Sequence, residues 1–180
     1  MANFKQAKFL GILLAGIGAI GLCMYFLFTS PITQTLLGIT VQSSQPYVNN
    51  AIKKAQGEKT VTTTTSSGAY TVTASLATTE QQQEQGLMNV TSMPANSGML
   101  FIFSDEPQIR TFWMKNTLIP LDMIFISQNK EVVYTQESAP PCKVDDCPVY
   151  SSLYPAEYVL EVNGGWAASH GVQAGNTVSF

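Results

Sequence analysis

The first strong pattern in the chain is an uninterrupted apolar segment near its start. Residues 9–28, FLGILLAGIGAIGLCMYFLF, contain no charged side chain. At a helical rise of about 1.5 Å per residue they span about 30 Å, the thickness of the hydrocarbon core of a bilayer. Lys5 and Lys8 precede the segment, so the positive-inside rule places residues 29–180 outside the cytoplasm. We therefore predict that residues 1–28 form a cytoplasmic tip and a single transmembrane helix, which anchors the protein in the cell membrane.

A cleaved signal peptide is the alternative interpretation of this segment. The apolar run ends in the bulky residues YFLF, however, where a signal peptidase requires small side chains. An uncleaved anchor is therefore favoured. Gly11, Ala15 and Ala19 recur every four residues and form a stripe of small side chains along the helix, which predicts a weak homodimer through the anchor.

The pattern changes twice after the anchor. Residues 29–57 are rich in Thr, Gln, Ser and Asn and predict a polar stalk, whereas residues 58–180 contain repeated strand patterns. The segment AYTVTASL (69–76) alternates between apolar and polar residues, as a half-buried strand does. The composition therefore predicts one extracytoplasmic domain over residues 58–180.

Further strands are predicted along this domain, at GMLFIF (98–103), LDMIFIS (121–127), KEVVYTQES (130–138), EYVLEV (157–162) and NTVSF (176–180). Alternation in EYVLEV predicts that Glu157 and Glu161 face solvent. Two short helices are predicted, the first in TTEQQQEQGLM, where Thr79 and Gln82 have capping-box spacing and Gly86 follows. The second is the glycine-bounded turn NGGWAASHGV. These elements predict a mainly β fold, a small β-barrel with two short helices.

Charge is distributed unevenly and limits the class of partner. Residues 58–180 contain 12 acidic residues against four Lys and Arg110, a net charge of −7. Such a body repels phosphate backbones, so nucleic-acid binding is not expected. No sequence motif predicts a cofactor.

Two cysteines lie close together in the segment CKVDDC. In an extracytoplasmic domain, Cys142 and Cys147 are expected to form a disulfide. Zinc is the alternative, but it requires three or four ligands and the only histidine is His170. His170 precedes Gly171 at the end of the second helix, and this position favours a helix-capping role over a catalytic one.

The segment FWMKNTLIPLDMIFI (112–126) is apolar but contains two opposite charges, Lys115 and Asp122. Asp122 shares a strand face with Ile124 and Ile126, where an ionised carboxylate needs a partner. Lys115, Arg110 and backbone donors are the candidates, and we predict a Lys115–Asp122 ion pair.

A functional interpretation of the same region is a polar cluster at the mouth of a ligand cleft. Convergent polar groups beside an aromatic side chain are typical of small-ligand sites. The candidate residues are Arg110, Trp113, Lys115, Asn116 and Asp122.

Several segments together resemble a prokaryotic family, domain of unknown function 192. They are QGLM, GMLFIF, FWMKNTLIPLDMIFI, YVLEVNGGWA and GVQAGNTV, and they cover roughly residues 68–180. The resemblance implies a small β-barrel, often exported or membrane-anchored, without an established reaction. Members usually have an Arg within two residues of GLM, where this chain has Asn89 and Val90; a ligand site served by that Arg would be altered here.

The function expected from these observations is that of a membrane-anchored extracytoplasmic domain that binds a small molecule or an envelope component. The alternative is a hydrolase or lyase that uses Asp122 in a cleft with Lys115 and Arg110.

Overall fold

The computed structural model describes residues 57–180. Within this range, neither the length nor the hydropathy of any helix suffices to span a bilayer. The predicted anchor at residues 9–28, its small-residue stripe and nearly all of the predicted stalk lie outside the described residues, and they remain predictions.

Strands dominate the described part of the chain. Its elements are β1 (Glu58–Thr65), β2 (Gly68–Ala77), α1 (Glu80–Gln85), β3 (Ser97–Ile102), β4 (Gln108–Trp113), β5 (Leu121–Ile126), β6 (Val132–Ala139), β7 (Val149–Ala156), β8 (Tyr158–Asn163), α2 (Trp166–His170) and β9 (Thr177–Ser179). The prediction of a mainly β domain with two short helices is therefore confirmed.

Seven strands form one curled sheet in the order β6-β5-β8-β3-β2-β1-β9. β2 and β3 run parallel and are connected through α1, a single βαβ unit that the sequence pattern did not reveal. At one end, backbone hydrogen bonds from Val178 to Lys130 and from Val132 to Asn176 link the two edges of the sheet. The sheet curls into a half-barrel, and these bonds join its edges at that end.

β4 and β7 form a separate antiparallel ribbon, which the sequence pattern did not predict. Its inner side chains pack on the curled sheet. The ring of Phe112 in β4 makes T-shaped contacts with those of Phe101 and Phe125, with ring centroids 5.0 and 5.9 Å apart. The ribbon therefore buries a face of the sheet that would otherwise be exposed.

The central strands are consequently buried on both faces, and β5 is buried at all six positions. One face forms a core with the second helix, and it includes Leu100, Ile124, Leu160, Trp166 and Ala167. The opposite face forms a second core beneath the ribbon, and it includes Met99, Phe101, Met123, Phe125 and Val159.

Local sequence signals account for both ends of α1 and for the end of α2. In α1 the Thr79 hydroxyl accepts from the backbone of Gln82, whose side chain accepts from the backbone of Thr79, so the predicted capping box is confirmed. Gly171 ends α2 in the left-handed conformation that glycine adopts without strain. His170 stacks on Trp166 and contacts its carbonyl oxygen, consistent with a structural position at this helix end.

Candidate functional site

The predicted ion pair between Lys115 and Asp122 is wrong. Lys115 instead pairs with Asp145, at 3.1 Å between Nζ and Oδ1. Asp122 lies on the face of β5 that packs against α2, fully buried. The polypeptide bend around Pro120 therefore does not return Lys115 to Asp122.

Backbone donors satisfy the buried carboxylate of Asp122. It accepts hydrogen bonds from the N–H groups of Ser138 at 2.7 Å, Gly165 at 2.9 Å and Ala167 at 2.7 Å. Gly165 and Ala167 lie at the start of α2, and Gly165 offers no side-chain cap of its own. A strand residue thus supplies the helix cap, because the N–H groups of the first helical turn lack intrahelical partners. This arrangement is structural.

Arg110 is also committed to contacts within the fold. Its guanidinium forms a bidentate pair with Asp105, at 2.7 and 3.1 Å, and Nε donates to the carbonyl oxygen of Ala156 at 3.0 Å. It also lies 4.0 Å from the ring centroid of Phe103. The Arg110 guanidinium holds the pKa of the Asp105 carboxyl below its usual value. These contacts fasten the turn before β4 to the ribbon.

The remaining three predicted residues lie on one segment that the disulfide fixes in place. Asn116 donates its backbone N–H to the carbonyl oxygen of Cys142 at 2.8 Å. Cys142 and Cys147 are bonded, with their Cα atoms 6.0 Å apart, so the predicted disulfide is present in the structure. Trp113 is half-exposed, and the Nζ atom of Lys115 lies 5.8 Å from its ring centroid.

Trp113 and Lys115 line a cleft that neither Arg110 nor Asp122 reaches. The cleft lies between this segment and the loop that follows α1. Its space accessible to water is about 30 Å³, and the cleft is open to solvent. The loop joins the segment through a hydrogen bond of 2.8 Å from the backbone of Asn89 to that of Asn116. Three residues of this loop line the cleft: Gly86, Leu87 and Met88. The next two residues are Asn89 and Val90. These are the positions at which the family resemblance implies an Arg.

Glu161 lines this cleft, and it corrects the prediction that this residue faces solvent. The side chain is only 4% exposed because the ribbon and the loop cover its face of β8. Met99 and Met123 are its neighbours on the adjacent strands. Glu157, which was also predicted to face solvent, is half-buried, and its carboxylate accepts a hydrogen bond from the hydroxyl of Tyr158.

The environment of Glu161 disfavours its charged form. Burial raises the pKa of the carboxyl from 4.5 to about 8, and no hydrogen bond or charge within residues 57–180 offsets this cost. A carboxyl group with such a pKa can either donate a hydrogen bond when protonated or bind a cation when ionised. Buried, titratable and unpartnered groups beside a cleft are candidates for a functional site.

The residues around Glu161 carry one signal that this acid is buried, although the apolar–polar alternation of β8 predicts that it is exposed. Glu161 lies between Leu160 and Val162, and both of its strand neighbours on the same sheet face are methionines. An acid within a strand whose two faces are both apolar is a buried acid. Recognising it required the strand order and the ribbon, which the pattern did not supply.

Comparisons with known proteins agree on the fold. A protein of unknown function from Novosphingobium aromaticivorans DSM 12444 has a TM-score of 0.64 and 36% sequence identity, over 68% of this chain and 85% of its own. A candidate transcription regulator from Sinorhizobium meliloti 1021 has the same TM-score and 35% identity, over 69% of this chain and 94% of its own. No curated protein matches the chain.

The family resemblance is confirmed by a direct match. The model of the DUF192 family, described as an uncharacterized ACR, matches residues 61–180 and hence two thirds of the chain. The match includes the curled sheet, the ribbon and the cleft over Glu161. The chain therefore belongs to the DUF192 family.

Proposed function

We propose that the domain is a binding module and that its ligand enters the cleft over Glu161. The observation that carries this proposal is a carboxyl group that is buried, open to the cleft and without a partner in the described residues. Folding alone gives no reason to keep an acid there, because an apolar side chain would fill the same strand position without a desolvation cost. A ligand that hydrogen-bonds to the carboxyl group would offset that cost.

The construction of the cleft supports binding. Phe101 and Phe112 contribute apolar walls, while Lys115, Thr117 and Glu161 contribute polar groups. Residues Gln83, Glu84 and Gln85 of α1 add further polar groups, so that polar and apolar residues share the lining about equally. Apolar walls with convergent polar groups are typical of small-ligand sites. The disulfide and the Asn89–Asn116 hydrogen bond fix both rims, so little conformational order has to be gained on binding.

The proposal includes an extracytoplasmic location on a membrane anchor. It is supported by the uncharged segment at residues 9–28, by the lysines that precede it and by the disulfide, which is typical of oxidising compartments. In this arrangement the anchor keeps the binding domain at the membrane, where it meets small molecules or envelope components.

No observation favours the alternative of a hydrolase or lyase built on Asp122. Its carboxylate accepts hydrogen bonds from three backbone donors, and Lys115 and Arg110 each pair with a different acid. A role in transcription, by analogy with the description of the Sinorhizobium meliloti protein, is disfavoured by the net charge of −7 on residues 58–180.

The proposal is tested with the full-length chain in detergent and a set of small amines, sugars, carboxylic acids and amides. Ligand-dependent thermal stabilisation is expected for at least one class, and it should be lost in Glu161→Gln. Glu137→Gln is the matched control, because Glu137 is exposed on β6 away from the cleft. Stabilisation by no compound, or equal stabilisation of wild type and Glu161→Gln, would overturn the proposal.

A further inference from the structure

The floor of the cleft offers one strong interaction. Glu161 is the only acid in the described part of the chain that is nearly fully buried and lines the cleft, and its carboxyl group has no partner there. An ionised carboxylate can only accept hydrogen bonds, so its strongest ligands carry several N–H donors and a positive charge. The floor is therefore complementary to a cation.

The walls are also compatible with a cation. Phe101, Phe112 and Trp113 contribute aromatic side chains to the lining, and aromatic rings attract cations through their quadrupole. Trp113 already has the ammonium of Lys115 within 5.8 Å of its ring centroid. The side chain of Trp113 is half-exposed, so a ligand can reach it from solvent.

Two other charged residues face the cleft, Glu84 and Lys115. Glu84 attracts a cation. Lys115 would repel one, but its charge is offset by Asp145 at 3.1 Å. Asp122 lies on the opposite face of the sheet and does not take part. The balance of charge around the cleft is therefore negative once Glu161 ionises.

Width limits the ligand further. The whole cleft has room for about two water molecules. A sugar ring or a planar guanidinium exceeds that space, whereas an ammonium group followed by a methylene group fits it.

We propose that the cleft receives a primary ammonium group at the end of an unbranched alkyl chain, with Glu161 as its counter-ion. This inference rests on the proposed function and names the chemistry of its ligand. Both a free diamine and a lysine side chain carry this group. In the free protein Glu161 is mostly protonated at neutral pH. Binding of the ammonium group converts the neutral carboxyl group into a carboxylate, which pairs with the ammonium. The proton that the carboxyl group loses passes to the buffer.

The test is isothermal titration calorimetry, in which the full-length chain is titrated with 1,5-diaminopentane at pH 7. The titration is carried out in phosphate buffer and again in Tris buffer. The diamine should bind, and the two buffers should give different apparent enthalpies, because buffers differ in their enthalpy of protonation. Up to one proton should be released per bound ligand. In Glu161→Gln the affinity should fall at least about tenfold, the range expected for a lost charged hydrogen bond, and proton release should disappear. Glu137→Gln should behave as wild type.

Matched compounds separate the chemical requirements. 1,5-Pentanediol has the same chain without charge and should not bind, and a bis-trimethylammonium analogue should be too wide. The tripeptide Gly-Lys-Gly distinguishes the two sources: binding of the tripeptide but not the diamine indicates a lysine side chain on a peptide, and the reverse indicates a free amine. Either result supports the inference.

Failure of this inference is distinguishable from failure of the proposed function. If neither amine binds while another compound stabilises the protein in a Glu161-dependent manner, the cleft is a binding site for a different chemistry and the inference is overturned. Amine binding that is unchanged in Glu161→Gln would also overturn it.

Discussion

The carboxylate of Asp122 on β5 lies 2.7 Å from the backbone nitrogen of Ala167, forty-five residues further along the chain. The same carboxylate accepts from Gly165 and from Ser138, so one side chain joins the start of α2 to β6. The sequence predicts an ion pair for Asp122. Backbone N–H groups stabilise its carboxylate instead. It stabilises tertiary structure and does not face a ligand.

Asp122→Ala is expected to lower the free energy of unfolding strongly. The substitution leaves the N–H groups of Ser138, Gly165 and Ala167 without their acceptor, and that of Ala167 is buried while the other two are partly buried. An unsatisfied buried donor costs about 1–3 kcal/mol. We expect a loss on the order of 3 kcal/mol or more, measured by urea denaturation of the full-length chain. Asp146→Ala is the control, because Asp146 is exposed and should change stability by less than about 0.5 kcal/mol. A similar small effect for both variants would contradict the structural role of Asp122.

Glu161 should make the protein less stable as the pH rises. Its pKa is about 8 in the folded protein against 4.5 ordinarily, so between these values the unfolded chain has lost a proton that the folded chain retains. The unfolded state is thereby favoured. The contribution of neutral Glu161 to the free energy of unfolding is fully present below pH 4.5 and is lost progressively as the pH rises to 8. The total loss is on the order of 5 kcal/mol.

Glu161→Gln should remove this dependence, because an amide does not titrate in this range. Denaturation curves at pH 5, 7 and 9 should show a growing advantage of Glu161→Gln over wild type. Glu137→Gln should instead follow the wild-type profile. Parallel profiles of wild type and Glu161→Gln would show that Glu161 does not have the raised pKa.

Arg110→Lys is expected to destabilise the fold despite conserving charge. A lysine cannot reproduce the bidentate pair with Asp105, the bond to Ala156 and the packing on Phe103 at once. We expect a loss of about 2–3 kcal/mol in the free energy of unfolding. Asp105→Asn should cost less, since Asp105 is half-exposed and water replaces the lost contact. Equal losses for both variants would show that the pair with Asp105 is the dominant contact of Arg110.

Loss of the disulfide should weaken the cleft wall as well as the fold. The double variant Cys142→Ser, Cys147→Ser should lose about 2 kcal/mol, the chain-entropy value for so short a loop. The contact between Asn116 and Cys142 should loosen with it, so hydrogen exchange at the amide of Asn116 should accelerate. A reducing agent should reproduce both effects in wild type and leave the double variant unchanged.

Local patterns in the sequence determined the elements whose signals involve neighbouring residues. The capping box of Thr79 and Gln82, the glycine at the end of each helix and the alternation in β2 are all short-range features, and each element formed where it was expected. The disulfide between Cys142 and Cys147 was predictable for the same reason, because only five positions separate the two residues.

Tertiary structure alone decided which charged residues meet. β4 and β7 lie some forty residues apart and carry weak strand patterns, β7 including Pro155, so the ribbon that covers one face of the sheet was not apparent. The apolar–polar alternation of β8 predicts that Glu161 is exposed. In the structure the ribbon covers this face of the sheet, and Glu161 is buried at the floor of a cleft. The partners of Asp122 and Lys115 follow in the same way from strand order and loop position, because periodicity determines the face on which a side chain lies but not what is packed against that face.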